Sequence, residues 1–189
     1  MSVQIVELTP QHCDALLEFF ANLPEGDRTF IKEDVTDPDV VRSWTGSDAG
    51  GRRWVALEDD DAQGAGGPVL GYLAVRRLSG WSDHVGEVRL VISPSCRGMG
   101  LGPRLARHAL TSAVDDGLSK LVVEVVAEQS AAVALFSGLG FSGEALLEDH
   151  IRDRTGELRD LLVLAHHVGR TWSSMSTLGL ADVLGSEGA

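Results

Sequence analysis

The stretch His84–Leu110, HVGEVRLVISPSCRGMGLGPRLARHAL, decides the reading of this chain. Its first part reads as a strand. Val85, Val88, Leu90, Val91 and Ile92 are β-branched or apolar, and polar residues alternate with them as far as Arg89. Ser93-Pro94-Ser95 breaks the strand. Arg97-Gly98-Met99-Gly100-Leu101-Gly102 then leads into an amphipathic helix. Leu105, Ala106, Ala109, Leu110, Ala113 and Val114 recur at helical spacing, with Arg104, Arg107 and His108 between them. Pro103 suits a first helical turn. A strand, a glycine loop and a helix start make an anion site. The first helical N–H groups have no intrahelical partner, and glycines let a ligand approach the backbone.

Three patterns share that geometry. A dinucleotide fingerprint, GxGxxG, requires glycine at 98, 100 and 103, and residue 103 is proline. A P-loop requires Gly-Lys-Ser/Thr at its end, and none follows. The third pattern is Arg/Gln-x-x-Gly-x-Gly, which Arg97, Gly100 and Gly102 match. Val91-Ile92-Ser93-Pro94 precedes it at the expected distance. Here the chain resembles the GNAT acyltransferase superfamily, whose motif of this form binds the pyrophosphate of acyl-CoA. A second stretch, Ala134-Leu135-Phe136-Ser137-Gly138-Leu139-Gly140-Phe141, resembles that family's Ala-Leu-Tyr-x-x-x-Gly-Phe signature, with Phe136 at the tyrosine's position. Family members usually carry Asn seven residues before that tyrosine, and Gln129 stands there.

The resemblance covers roughly residues 3–168 and implies an α/β (α+β) fold. Its central sheet would be mixed and mostly antiparallel, of about seven strands flanked by helices, with the fourth and fifth strands splayed apart. It implies acetyl-CoA as co-substrate and no metal. The pyrophosphate would lie on Arg97, Gly98, Met99, Gly100, Leu101 and Gly102. The pantetheine arm would lie against Leu90, Val91, Ile92 and Ser93 in the splay, with Gln129 and Phe136 beside it. A β-bulge in Leu90–Ser93 would re-aim that strand and free its polar groups. Residues 1–168 would form the acetyltransferase domain, and 169–189 a tail or short docking helix.

Composition agrees with one globular domain. The chain has 189 residues, 43% of them hydrophobic and 23% charged. No apolar run reaches the roughly 18 residues that suggest a membrane span. The start, MSVQIVELTP, lacks the basic and apolar regions of a signal peptide. Cys13 and Cys96 are isolated and lack metal-ligand spacing. A reduced, cytoplasmic protein without a membrane partner is the simplest expectation. Net charge is −12, and residues 1–62 hold 14 acids against 5 Lys/Arg, or −9 of it. That balance disfavours nucleic acid. It favours a cationic acceptor such as an amine, although acidity also serves solubility.

The rest of the chain arranges itself around the central unit. Val3–Leu8 alternates as a first strand. Thr9-Pro10 opens a helix whose face carries Cys13, Leu16, Leu17 and Phe20. Asp27–Thr45 holds one or two short helices, the second opened by Pro38 after Asp37. In GNAT folds this region covers the acceptor site. Phe19, Phe20, Phe30 and Trp44 would line a pocket there or simply fill the core. The stretch ALLEFFANLPEGDRTF (15–30) is also similar to the GNAT domains of bacterial protein-lysine acetyltransferases. Ser47–Gly51 is a loop, Arg53–Glu58 a second strand, Asp59–Pro68 an exposed hairpin connection and Val69–Leu78 a third strand. Ser79–Asp83 turns, with Trp81 packing across it. Short connections make the early strands an antiparallel meander, whereas Lys120–Val126 after a helix implies a parallel pair with a right-handed crossover. Gln129–Leu139 is a helix. Glu144–Ile151 and Glu157–His166 close the domain as a hairpin around Asp153-Arg154-Thr155-Gly156.

The implied reaction is direct acyl transfer from CoA to an amine. The amine must lose a proton, the thioester oxygen must be stabilised and the thiolate must be protonated. The resemblance gives the second task to the Ile92 main-chain N–H. It gives the first to Glu87, five residues earlier on the same strand, where several family members place a catalytic glutamate. Glu87 is equally read as a solvated residue or as the partner of Arg89. Glu124, Glu128, Asp149 and His150 are lesser candidates. The third task has no evident side chain. Phe136 has no proton to give, and Tyr72, the one tyrosine, lies on the third strand. Thiolate leaves unassisted or takes a proton from water, thiols being fairly acidic; or Ser137 reaches in; or the chain is a non-catalytic acyl-CoA-binding sensor. A small amine, an aminoglycoside or a protein lysine or N-terminus would serve as acceptor, and a homodimer is compatible with the sequence.

Overall fold

The structure, a computed structural model, describes residues 2–28, 30–46, 50–59 and 67–169. Most of the expected Ser47–Gly51 loop and Asp59–Pro68 connection, and the tail from residue 170, lie outside the described residues. The elements in chain order are β1 (Val3–Glu7), α1 (Cys13–Ala21), α2 (Glu25–Arg28), α3 (Pro38–Ser43), β2 (Gly51–Glu58), β3 (Val69–Arg77) and β4 (Val85–Ile92). Then come α4 (Leu101–Asp115), β5 (Lys120–Val126), α5 (Ser130–Gly138), β6 (Ser142–Arg152) and β7 (Leu158–His167). The strands form one seven-stranded sheet in the order β1-β2-β3-β4-β5-β7-β6. Only β4 and β5 run parallel. The mixed, mostly antiparallel sheet flanked by helices is therefore observed.

Local chemistry sets several boundaries. Thr9 is extended and Pro10 opens a 3₁₀ turn that continues into α1. Asp37 caps α3, its side chain accepting from the Asp39 N–H at 2.9 Å, with Pro38 in the first turn. β3 is buried along nearly its whole length because helices cover both faces of the sheet. On one face Leu73 and Val75 pack with Val88, Leu105, Ala109, Leu121 and Phe136 beneath α4 and α5. On the other, Tyr72 and Ala74 pack with Leu16, Phe20, Val41 and Trp44 beneath α1 and α3. Burying a single large side chain in either core contributes about 1.5–3 kcal/mol.

Two expectations need correction. The β3–β4 register is continuous from Gly71↔Ile92 to Arg77↔Gly86, so no bulge interrupts β4 against β3. Irregularities fall instead between Ala56 and Leu57 and in the β6–β7 pair. Trp81 does not pack across its turn; it is 96% exposed. It sits in a 3₁₀ turn over Gly80–Ser82, none of whose residues is buried.

The splay arises by a different route from a bulge. β5 pairs with β7 along its full length, from Lys120↔His167 to Val126↔Leu161. Its pairing with β4 runs only from Val85↔Lys120 to Val88↔Val123. Beyond Val88 the C-terminal half of β4 has a partner only in β3. The helix-bearing crossover fixes the near ends of the two strands, and β7 draws the far end of β5 away.

Candidate active site

The cleft begins where β4 and β5 part. The Ser93 N–H donates to the Leu70 carbonyl at 2.9 Å, on the β3 side. Direction alternates along a strand, so the N–H groups of Leu90 and Ile92 face the β5 side, past the last β4–β5 pair. Val91 turns its side chain to the other core, while Leu90 and Ile92 pack toward α4.

The glycine loop follows. Pro94–Cys96 is a 3₁₀ turn, with the Cys96 N–H donating to Ser93 at 2.9 Å. The Arg97 N–H donates to Pro94 at 3.3 Å and the Met99 N–H to Cys96 at 3.4 Å. Of the six residues expected to cradle an anion, these two spend their main-chain donors inside the loop. The N–H groups of Gly98, Gly100, Leu101 and Gly102 have no main-chain acceptor in the turn. Pro103 has no N–H, and the first bond of the helix is Arg104 N–H to Gly100 at 3.4 Å. Four donors therefore gather at the N-terminus of the fifteen-residue α4, whose dipole adds partial positive charge. Gly100 caps α4 at φ +82°, a conformation costing other residues about 1–2 kcal/mol. Nothing lies within 4 Å of where a Cβ would stand at Gly98 or Gly100, so that side of the loop is open to a ligand.

Gly102 serves closeness of packing. A Cβ there would meet Ile92 Cδ1 at 3.0 Å and Leu135 Cδ2 at 3.3 Å. Gly102→Val is expected to push α4 from β4 and α5 and to destabilise the fold by about 1–3 kcal/mol. A urea-unfolding midpoint checks it, and an unchanged midpoint would show that this contact yields freely.

Side chains of the loop behave differently from its backbone. Arg97 reaches across to Asp27 of α2, at 2.7 Å. Arg104 donates to the Val3 carbonyl at 2.8 Å and so ties α4 to β1. Gln129 caps α5 by position, without a side-chain cap bond. Phe136 is 3% exposed, its ring edge-on to Phe141 at 5.2 Å. It sits inside the core beneath α5. Tyr72 is buried too, stacked on Trp44 at 5.1 Å. Burial, opposed by Arg53, pushes its phenol up to about 12, so it keeps its proton. Phe19, Phe20 and Trp44 are buried in the α1–α3 core, and Phe30 is half-buried.

Glu87 projects from β4 on the α1–α3 side and is 8% exposed. It stands in a network of charges. Its carboxylate accepts from Lys32 Nζ at 2.8 Å and from Arg89 at 3.1 Å, and Arg76 lies 3.9 Å away. Lys32 also contacts Glu124 at 2.5 Å. Glu33 pairs with Arg89 and, at 3.7 Å, with Arg76. Burial works to lower the Lys32 pKa, but its hydrogen bonds to Glu124 and Glu87 outweigh that and leave it raised. Glu124 lies one residue past the last β4–β5 pair, at the mouth of the splay. The other candidates stand apart. Glu128 pairs with Arg159 at 3.7 Å, and the Asp149 N–H donates to Asp160 at 2.9 Å in an exposed irregular stretch that also carries His150. Local sequence pattern carried no signal for Lys32, which lies 55 positions from Glu87.

A seven-stranded mixed sheet, a parallel pair that parts halfway and an amide-rich helix start at the parting define the acyl-CoA N-acyltransferase class of fold. A model of the acetyltransferase (GNAT) family matches residues 17–141, and the chain belongs to that family. Streptothricin acetyltransferase of Streptomyces lavendulae is 29% identical over 129 residues, spanning 62% of this chain and 65% of that protein. N-acetyltransferase 8F1 of Rattus norvegicus is 30% identical over 128 residues, spanning 67% of this chain and 54% of that one. The chain thus spans less than two thirds of the length of these curated relatives. Among solved structures, yncA of Salmonella typhimurium, determined with acetyl-CoA, superposes with a TM-score of 0.74 at 21% identity, over 89% of this chain and 95% of that chain. A ribosomal-protein-alanine N-acetyltransferase from Brucella melitensis gives 0.74 at 21% identity, over 87% and 99%. These likenesses establish the fold. Among the described residues, no helix is long and apolar enough to cross a membrane.

Proposed function

We propose that this protein is an N-acetyltransferase that moves an acetyl group directly from acetyl-CoA to a primary amine. The observation that carries the reading is the set of four donors on Gly98, Gly100, Leu101 and Gly102, set beside the half of β4 that β5 leaves unpaired. The donor set suits a doubly charged diphosphate, and an extended amide-bearing arm suits a free strand edge. Acetyl-CoA supplies the activated thioester. Leu90, Val91 and Ile92 line the arm's path, and Gln129 offers an amide at the start of α5. Arg97, freed from Asp27, adds a charge-assisted contact to the phosphates, while the main chain of Met99 shapes the loop rather than donating. Phe136 supports α5 from below.

The Ile92 N–H meets the thioester oxygen as charge develops on it. Glu87 takes the amine's proton through water. Five residues of extended chain, roughly 16 Å, separate it from Ile92, too far for direct contact with the reacting amine. Glu124, nearer the mouth, is the alternative carboxylate. With no tyrosine at position 136, the departing thiolate takes its proton from water. The acceptor is a small amine or a protein lysine or N-terminus, and the setting is cytoplasmic. Residues 1–168 act as the catalytic domain and 169–189 as an appendage.

Free-thiol release from acetyl-CoA tests the reading with a panel of amines. Sustained release only when acceptor is present supports an enzyme; tight CoA binding without turnover identifies a sensor instead. Arg97→Ala is expected to weaken CoA binding about tenfold, the worth of one charge-assisted hydrogen bond of about 1.5 kcal/mol. Calorimetric titration reads this, and an unchanged dissociation constant would remove Arg97 from the phosphate site.

A further inference from the structure

The chain has two lysines, Lys32 and Lys120. Both are ion-paired, and their settings differ. Lys120 opens β5, pairs with Glu144 at 2.7 Å and lies beside Val85, at the closed end of the parallel pair. Lys32 comes from the segment between α2 and α3 and lies over the sheet. Its ammonium sits 2.8 Å from Glu87 and 2.5 Å from Glu124, and its side chain is 47% exposed. Lys32 therefore touches both candidate bases directly, without the water path that an amine at Ile92 needs.

We propose that Lys32 is itself an acetyl acceptor, so that this protein modifies its own acceptor-side segment. The inference rests on the acetyltransferase reading above. Lys32 passes a proton to Glu87 or to water, and its Nζ lone pair forms a bond to the acyl carbon. The carbon–sulfur bond breaks with its electron pair remaining on sulfur, and the thiolate takes a proton from solvent, giving an amide and free CoA. Level with Glu124, the ammonium stands about three strand residues, or roughly 10 Å, below Ile92. Rotation of a flexible four-carbon stem sweeps the amine over a comparable distance. Once acetylated, the side chain carries no charge and cannot ion-pair with Glu87 or Glu124. Glu33, through Arg89 and Arg76, would then be the remaining ionic tie of this segment to β3 and β4.

The test uses the full chain with acetyl-CoA and no added amine, followed by peptide mass spectrometry over time at several protein concentrations. The expected result is acetyl on Lys32, appearing at a fractional rate independent of protein concentration. It should be at least about tenfold faster than on Lys120, because only Lys32 is held near the thioester. An unmodified Lys32 overturns the proposal. So do equal rates on the two lysines, or a fractional rate that climbs with protein concentration. Thiol release with the amine panel, run on the same sample, separates the two readings. Turnover with Lys32 untouched removes self-acetylation and leaves the enzyme standing; absence of both removes the enzyme as well.

Discussion

Glu87→Gln is expected to lower turnover about 100-fold, the lower end of what a positioned base contributes, while CoA affinity holds. The lower end applies because the proton must travel through water along several residues of β4. The geometry also supplies a competing account. Lys32, Arg89 and Arg76 surround this carboxylate, and removing its charge leaves these three cations sharing two carboxylates, Glu124 and Glu33, around a position 8% exposed. The two accounts separate in the pH profile. Loss of a base flattens the acid limb of kcat, whereas a disturbed network lowers the whole curve and the unfolding midpoint together. Glu124→Gln completes the comparison. If it costs the larger factor and Glu87→Gln leaves saturated turnover unchanged, the base is Glu124.

Phe20→Ala is expected to cost about 3–5 kcal/mol of stability, as a fully buried phenylalanine does. Phe20 is 0% exposed and lies edge-on to Phe19, Trp44 and Tyr72 at 5.2, 5.9 and 5.6 Å. No neighbouring chain can relax into the space, because β3 lies beneath it and α1 and α3 lie above. Urea unfolding measures the loss, and a value under about 1 kcal/mol would mean that the pocket collapses around the missing ring. The functional consequence should be one-sided. The glycine loop rests on the opposite core, with Leu101 and Leu105. Below the variant's unfolding temperature, affinity for the amine should therefore fall while affinity for CoA is retained.

The strand–loop–helix unit was legible because all of its information is local. Alternating apolar residues, a proline break, glycines and a helical stripe lie within 27 consecutive residues, Glu87 among them. Pro10 and Pro38 marked helix starts for the same reason. Trp81 was misread because an aromatic residue in a turn carries no information about whether a neighbour will be there. The bulge was misplaced because the parting of β4 and β5 depends on β7, more than sixty residues further on.

By itself, the sequence determined the order of elements, the glycine turn before α4 and the absence of a tyrosine at position 136, since these depend on neighbours along the chain. Tertiary structure alone decided that Arg97 turns to Asp27, that two of the loop's six amides are already bonded, and that Lys32 rests between Glu87 and Glu124. The two ion-pair contacts join residues far apart in sequence and are fixed by how the α1–α3 segment packs onto the sheet, whereas the two amide bonds are local and are set by the backbone path of the turn. Ion pairs depend on distance in space, and composition and spacing specify only distance along the chain.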